Sequence, residues 1–153
     1  NKNGMYESVG QQWGFDDENN NRGLAIVDLN DDGALDFIVR SVDSHTRVLM
    51  QRCTAKHWMK VSLKQSGVNT EAIGAKIVLS HAGVAQERYV MAGGTSLSTS
   101  LPAQVHFGLG NIENVHKLQV RWPDGQWSTF EDVVANQHVT VVRNNTFVTQ
   151  TPQ

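Results

Sequence analysis

Residues 117–122 have the sequence Lys-Leu-Gln-Val-Arg-Trp, and residues 123–125, Pro-Asp-Gly, follow directly. The three apolar side chains alternate with polar ones, which is the period of a strand with one buried face. Proline presets φ and glycine accepts a positive φ, so the three following residues predict a tight turn. The next segment, 127–130, then returns as the partner strand. This strand, turn and strand unit is the most regular part of the chain.

Segments of the same kind continue on both sides of this unit. They are short, rich in β-branched and aromatic residues, and separated by turn residues at intervals of about 8–12 positions, with no long helical period. This pattern predicts an all-β protein folded as an antiparallel β-sandwich, and leaves a jelly-roll and an immunoglobulin-like topology open. The further predicted sandwich strands are 57–64, 75–80, 86–91, 104–110 and 138–142.

An acidic loop, residues 28–36, has the sequence Asp-Leu-Asn-Asp-Asp-Gly-Ala-Leu-Asp. Its side-chain oxygens stand at positions one, three, five and nine, with a glycine at position six for the sharp turn. Ca²⁺ takes roughly 6–8 oxygen ligands at about 2.3–2.6 Å, and alternate residues of a turning loop can supply them. The expected Ca²⁺ ligands are Asp28, Asn30, Asp32, Asp36 and the main-chain carbonyl of Ala34.

The acidic loop differs from an EF-hand, which places a bidentate glutamate at position twelve. That position is Val39, inside an apolar run. The sequence therefore indicates a shorter type of calcium loop, in which the aspartate at position nine replaces the glutamate as a ligand. Apolar runs at 24–27 and 37–39 flank the loop, so it joins the strands of an N-terminal hairpin. The alternative is a solvated acidic turn, since Asp, Asn and Gly favour turns without any metal.

Composition fits one globular domain with or without an attached piece: 153 residues, of which 39% are hydrophobic and 18% charged. The net charge of −2 favours neither nucleic acid nor an anionic membrane as a partner. No apolar run approaches the roughly 18 residues of a membrane span. Residues 1–45 carry nine acidic and three basic residues, against six and ten in the remainder. A cation at the acidic loop would offset part of this excess. The single cysteine, Cys53, excludes an internal disulfide, and we expect it to be buried.

From about residue 56 to 143 the chain resembles the ASPIC/UnbV domain of secreted proteins. The segments that carry the resemblance occur in the family's order, and the His-Phe-Gly-Leu-Gly and Trp-Pro-Asp-Gly segments are the most specific. The resemblance implies a β module with a binding role at an extracellular or periplasmic location. The matching segments are 57–63, 72–77, 106–110, 120–125 and 135–137.

Residues 22–39 resemble the end of an FG-GAP/VCBS repeat, a propeller-blade unit whose loop binds calcium. A propeller needs about 4–8 blades, whereas this chain holds one partial blade. The piece therefore either belongs to a longer protein, as the first residue, Asn1 rather than Met, also suggests, or is re-used as strands packed on the sandwich. The expected organisation is a partial blade at 1–52, the ASPIC/UnbV-like sandwich at 53–144 and an irregular C-terminal tail at 145–153.

The function implied is a non-enzymatic, calcium-binding module that contacts a protein or glycan partner at the cell surface or in the matrix. A carbohydrate-binding module is the alternative, with Trp58, Trp122 and Trp127 as candidate stacking rings. Trp122 is in phase with the core positions of its strand, so Trp127 is the best candidate for an exposed ring. A hydrolase is the least favoured reading, because the sequence has no Gly-x-Ser-x-Gly elbow, Walker loop or His-Glu-x-x-His motif. No catalytic residue is predicted.

Overall fold

The computed structural model describes residues 4–52, 56–94, 98–144 and 146–150; Cys53, whose burial we predicted, lies outside them. Within these ranges the chain has one short 3-10 turn, Gln11–Trp13, and eleven strands, and no helix is long and apolar enough to cross a membrane. The strands are β1 (Asn21–Val27), β2 (Asp36–Ser41), β3 (Arg47–Leu49), β4 (His57–Lys64), β5 (Lys76–His81), β6 (Val84–Tyr89), β7 (Gln104–Gly110), β8 (Asn114–Arg121), β9 (Trp127–Val134), β10 (Gln137–Val142) and β11 (Thr146–Gln150).

Two four-stranded sheets form the sandwich that the sequence predicts. The first sandwich sheet has the order β11-β10-β4-β7, and the second has the order β6-β5-β8-β9. All neighbouring strands are antiparallel except β4 and β10, which run parallel. The second sheet is built from two local hairpins, β5–β6 and β8–β9, whereas β4 meets β10 only after the chain has passed through all of β5 to β9.

One apolar cluster fills the space between the two sheets. Alternate residues of β4 point into it, and β7, β8 and β10 contribute in the same way, because period-2 alternation places every second side chain on the inner face. Trp122, at the end of β8, is 2% exposed and its indole N–H donates to Ser128 Oγ at 2.9 Å, which confirms its predicted core position. The largest fully buried side chains include Phe107, Met59, Leu63, Ile77 and Leu118.

A third sheet, β1-β2-β3, precedes the sandwich and is called here the N-terminal sheet. Its strands are antiparallel, and the acidic loop joins β1 to β2. Phe15 from the preceding segment packs edge-to-face on Phe37 of β2, with ring centroids 4.9 Å apart. Leu24, Ile26 and Val48 remain between 41% and 52% exposed. This sheet therefore buries far less apolar surface than the sandwich.

The C-terminal segment differs from the prediction. Residues 146–150, which we expected to be an irregular tail, pair antiparallel with β10 as β11. Their sequence, Thr-Phe-Val-Thr-Gln, is rich in β-branched and aromatic residues, which favour strands. Asn144, at a φ of 97°, allows the chain to reverse between the two strands.

Candidate functional site

The acidic loop begins where β1 ends and closes where β2 begins, so the backbone hairpin sets the positions of its first and last carboxylates. Asp28 follows β1 directly and Asp36 is the first residue of β2; they are 5% and 0% exposed. Asp31 and Gly33 have φ values of 57° and 87°, which tighten the turn between them. Two carboxylates are therefore buried at the base of the loop, and each needs hydrogen-bond or ionic partners.

Asp28 is surrounded by donors from its own loop and from the sandwich. Its carboxylate accepts hydrogen bonds from the backbone N–H of Asp32 at 3.1 Å and of Gly33 at 2.9 Å. Lys60, in the middle of β4, places its ammonium 3.1 Å from Asp28 Oδ2 and donates to the Asp28 carbonyl, also at 3.1 Å. Lys60 is only 4% exposed and also pairs with Asp31. This charge pair joins the N-terminal sheet to the sandwich.

Asp36 has partners of a different kind. Its two carboxylate oxygens accept from the backbone N–H of Leu29 and of Gln51, each at 2.9 Å. The first bond closes the loop, and the second ties the segment after β3 to the start of β2. Among the described residues no cationic side chain pairs with Asp36. A fully buried carboxylate with neutral donors alone is costly unless a further positive charge lies nearby.

The remaining predicted ligands are arranged around Asp32. Its side chain accepts from the N–H of Ala34 at 2.8 Å and from the Asn30 amide at 2.9 Å. Asn30 and Asp32 are exposed, so their side chains can rotate at little cost, whereas Ala34 is buried. The structure thus gathers all five predicted residues in one loop but directs their side chains to backbone N–H groups, to Lys60 and to each other.

The donor chemistry of the loop fits a hard cation, although the ligands are not preassembled. In the described part of the chain no three His, Cys, Asp or Glu side chains converge as a metal site. Each carboxylate offers about four lone-pair positions, so the backbone hydrogen bonds leave oxygens available. Of the four aspartates in the loop, two are buried, and the ammonium of Lys60 is the cation in contact with them. The loop therefore retains an excess of negative charge.

A second contact between the loop and the sandwich lies at Gly33. A Cβ at this position would stand 1.8 Å from Trp58 Cδ1, so only glycine lets the loop lie against the indole ring. His106, on the neighbouring strand β7, stacks parallel to Trp58 with centroids 6.2 Å apart. Its Nε2 lies 3.1 Å from the Gly33 carbonyl, and because a carbonyl only accepts, this nitrogen carries the proton. Burial lowers the pKa of His106, which Asp28 opposes and Lys60 and Arg88 reinforce.

With this geometry in place, comparison with known proteins identifies the sandwich. The family described as "ASPIC and UnbV" matches residues 65–147.

The chain belongs to the ASPIC and UnbV family.

Two curated relatives extend the similarity. Cartilage acidic protein 1 of Xenopus tropicalis is 30% identical over 108 residues, which are 68% of this chain and 16% of that protein. Cartilage acidic protein 1 of Mus musculus is 27% identical over 113 residues, 71% of this chain and 17% of that protein. The chain thus corresponds to about one sixth of these relatives' length. The acidic loop, Trp58 and Lys60 precede the segment that the family match covers.

Lys60 is the residue of this site that the sequence did not indicate. Alternation within 57–64 correctly predicted the strand, and placed Lys60 on its polar face together with Trp58. That face is covered by the acidic loop rather than by solvent, so both residues are buried, at 4% exposure each. The uneven charge distribution was the available signal, because the acidic excess of residues 1–45 has to be offset by positive charge from the rest of the chain.

The three candidate stacking tryptophans separate clearly. Trp58 and Trp122 are buried in the structure, so neither is available as a stacking ring. Trp127, the first residue of β9, is 51% exposed, which confirms it as the exposed ring among the three.

One serine–histidine contact bears on the hydrolase alternative. Ser62 Oγ and His138 Nε2 lie 2.8 Å apart on the parallel strands β4 and β10. Burial, reinforced by the positive charge of Lys60, lowers the pKa of His138. Neither residue lines any of four clefts of about 120–580 Å³ around β1 and the acidic loop. The contact joins two strands and opens into none of these clefts, so it offers a substrate no position there.

Proposed function

We propose that the chain is a non-enzymatic, extracellular binding module of the ASPIC and UnbV family, in which the acidic loop binds Ca²⁺. The resemblance of residues 22–39 to an FG-GAP/VCBS repeat supports calcium binding, and the similarity to cartilage acidic protein 1 supports an extracellular binding role. Bound Ca²⁺ would neutralise carboxylates and hold the loop rigid. The residues that would hold it are Asp28, Asn30, Asp32, Asp36 and the carbonyl of Ala34.

The observation that carries the proposal is the buried Asp36 carboxylate, which has two backbone donors and no paired side-chain cation in the described residues. Asp28 already shares Lys60, so the loop has more buried negative charge than its protein partners offset. Asn30 and Asp32 are exposed and can turn towards a cation. A loop that must rearrange its ligands is expected to bind weakly, in the range of roughly 10⁻⁴–10⁻³ M that extracellular calcium modules show.

A calcium titration followed by thermal unfolding tests the proposal. At Ca²⁺ concentrations about 10 to 100 times the dissociation constant, binding to the folded state alone adds roughly 1.4–2.7 kcal/mol to the free energy of unfolding. Wild-type protein should therefore melt several degrees higher in Ca²⁺ than in chelator. Asp32→Ala should lose this difference, because it removes an exposed ligand without disturbing the buried carboxylates.

Glu18→Ala, at an exposed acid outside the loop, is the matched control and should respond to Ca²⁺ like the wild type. Mg²⁺ at the same concentration controls for ionic strength. A wild-type chain that gains no stability from Ca²⁺ and gives no heat of binding would refute the calcium site, and so would a gain that persists in Asp32→Ala.

Carbohydrate binding is a second candidate, favoured by one specific observation. Trp127 presents a half-exposed indole on the outer side of the second sandwich sheet. Flat aromatic faces suit the apolar faces of pyranose rings, and their amphipathic character allows one side to remain wet. A change of tryptophan fluorescence with a glycan, absent in Trp127→Ala, would support this function; an identical response in the variant would remove it.

A further inference from the structure

A row of four side chains crosses the outer face of the second sandwich sheet. Strand register places Tyr89 of β6 opposite Lys76 of β5, Lys76 opposite Arg121 of β8, and Arg121 opposite Trp127 of β9. Directly paired residues of antiparallel strands share a face. Ile77 and Val120 of the next row are fully buried in the core, so the row of Tyr89, Lys76, Arg121 and Trp127 points outward. We call it the outer row.

The outer row is exposed to solvent along its length. Tyr89 is 59% and Trp127 is 51% exposed, Arg121 is also exposed, and Lys76 is half-buried between them. With strands about 4.7–4.9 Å apart, the two aromatic rings are separated by roughly 14 Å, with two cationic side chains in the interval. This face therefore presents two exposed aromatic rings with two cationic side chains between them.

The charges on this face leave Arg121 as the available cation. Lys76 is paired with Glu87 at 2.7 Å, and Lys117, four residues before Arg121 on β8, is paired with Glu131 at 3.9 Å. Asp124, in the turn that follows β8, is paired with Arg143, whose hydrogen bond lowers the pKa of that carboxyl. In the described residues no acidic side chain pairs with Arg121. The positive charge beside Trp127 is therefore free to meet an anion.

We propose that the outer row binds an anionic glycan, with its sugar rings stacked on Trp127 and Tyr89 and a carboxylate or sulfate group held by Arg121. This proposal rests on the second candidate function and specifies its ligand class and its residues.

The chemistry of each side chain matches this ligand. A guanidinium presents parallel N–H donors that bind a carboxylate or sulfate at two points, and Arg121 stands between an indole and an ammonium. Lys76 can turn from Glu87 to a second anionic group, because a surface ion pair of this kind is weak. The indole and phenol rings supply flat contacts on either side. A neutral glycan would use the rings but leave the charge of Arg121 unmatched, which predicts a preference for anionic sugars.

Binding of size-defined oligosaccharides to the whole chain, measured by calorimetry, tests the proposal. A heparin oligosaccharide presents sulfate, a hyaluronan oligosaccharide presents carboxylate alone, and a dextran oligosaccharide is neutral. We expect binding of at least one anionic glycan that weakens as salt screens the charges, and at least tenfold weaker binding of dextran. Arg121→Ala and Trp127→Ala should each weaken anionic binding by about tenfold, and Arg121→Lys should fall between wild type and Arg121→Ala.

Arg40→Ala and Trp13→Ala are matched controls, since they remove an exposed arginine and an exposed tryptophan from the N-terminal part of the chain. They should bind as the wild type does, and unchanged thermal unfolding would verify that each variant is folded. Polyphosphate distinguishes a glycan site from a simple anion site: equal binding of polyphosphate that Trp127→Ala leaves unchanged would overturn the proposal.

The remaining outcomes separate this inference from the functions on which it stands. Dextran binding equal to that of the anionic glycans would refute the anionic preference while leaving carbohydrate binding intact. No binding of any of the three glycans would refute both. Neither result affects the calcium proposal, which has its own titration.

Discussion

The sandwich and the N-terminal sheet are both β-structures, but they are stabilised in opposite ways. The sandwich closes around one apolar cluster whose members, such as Phe107 and Met59, are completely buried. The N-terminal sheet and its loop bury three polar residues, Asp28, Asp36 and Ser41, beside the small apolar residues Ala34 and Val39, and leave Leu24 48% exposed. Apolar burial is non-directional and tolerates local change, whereas buried charges depend on individual partners. A single polar substitution should therefore be able to release the N-terminal sheet while the sandwich stays folded.

Matched phenylalanine substitutions are expected to show the largest difference between the two regions. Phe107→Ala removes a fully buried ring from the sandwich, and we expect a loss of about 4 kcal/mol in the free energy of unfolding. Phe37→Ala removes a half-buried ring that contacts Phe15, and the expected loss is about 1–2 kcal/mol. Denaturant unfolding measures both. Equal losses would show that the N-terminal sheet has a core comparable to that of the sandwich.

Removing Lys60 should be the most damaging polar change. Lys60→Ala leaves the Asp28 carboxylate buried without its cation, for which we expect a loss of about 3 kcal/mol, measured in chelator. The amide hydrogens of Asp32 and Gly33 should exchange faster, because the loop leaves the sandwich, while those of β8 and β9 should keep their protection. Lys60→Met combined with Asp28→Asn should recover much of the stability. A double variant as unstable as Lys60→Ala would show that the charge pair itself is not the cause.

The close approach of Gly33 to Trp58 can be tested separately from backbone strain. Gly33→Ala adds a methyl group where the indole lies and also forces alanine to a φ of 87°, for a combined expected loss of about 2 kcal/mol. Gly67 has a φ of 93° and nothing within 4 Å of the added Cβ, so Gly67→Ala reports strain alone, about 1 kcal/mol. Near-ultraviolet circular dichroism should change for the first variant only. Equal losses of stability in the two variants would mean that the loop adjusts to the added methyl group without moving away from Trp58.

Acid sensitivity should be the smallest of the four effects. Burial lowers the pKa values of His106 and His138 below 6.5 in the folded chain. Well above pH 6.5 both are neutral whether folded or unfolded, and stability is independent of their titration. As the pH falls below 6.5 the unfolded chain takes up protons before the folded chain does, so the free energy of unfolding declines until the pH passes the folded pKa values.

The free energy of unfolding of His106→Gln should therefore decline less than that of the wild type between pH 6.5 and the folded pKa. Thermal unfolding across that pH range measures the difference. Glutamine can still donate to the Gly33 carbonyl, so the stability at pH 7.5 should change little. His45→Gln, at an exposed histidine, is the control. If the free energy of unfolding of His106→Gln fell with pH as steeply as that of the wild type, the acid sensitivity would belong to other groups.

The sequence predicted the sandwich well because its strands alternate in a simple way. The bounds of β4 and β7 matched exactly, since each is an alternating run that ends at a polar residue or glycine. The order of the strands could not be predicted, because alternation identifies a buried face but not the neighbouring strand, and the parallel pairing of β4 with β10 has no local signal. The prediction for the C-terminal tail was wrong because it followed the terminal position of residues 146–150 rather than their strand propensity.

The loop shows the same limit at the level of single residues. Its aspartates could be identified by spacing alone, but their partners could not, because Lys60 is 32 residues away from Asp28. A lysine on the polar face of an alternating strand is normally in solvent, and the pattern cannot distinguish solvent from a covering loop. The calcium ligands named from the sequence stay a prediction, and the ammonium that meets Asp28 is what the structure adds.

The parallel pairing of β4 with β10 also has a consequence for biosynthesis. The β5–β6 and β8–β9 hairpins can form as soon as each has left the ribosome, and β4 can pair with β7, but the other edge of β4 must wait for β10, which is separated from it by more than 70 residues. Closing so long a loop is slow, because its entropy cost is offset only once the contacts between the two strands have formed. A nascent chain that stops before Gln137 should thus protect only the β4 amides that bond to β7 and leave those that face β10 open to hydrogen exchange, and protection of the latter would refute this order. The strand that carries Lys60 is then completed last, and the N-terminal sheet, although made first, attaches to the sandwich only at the end.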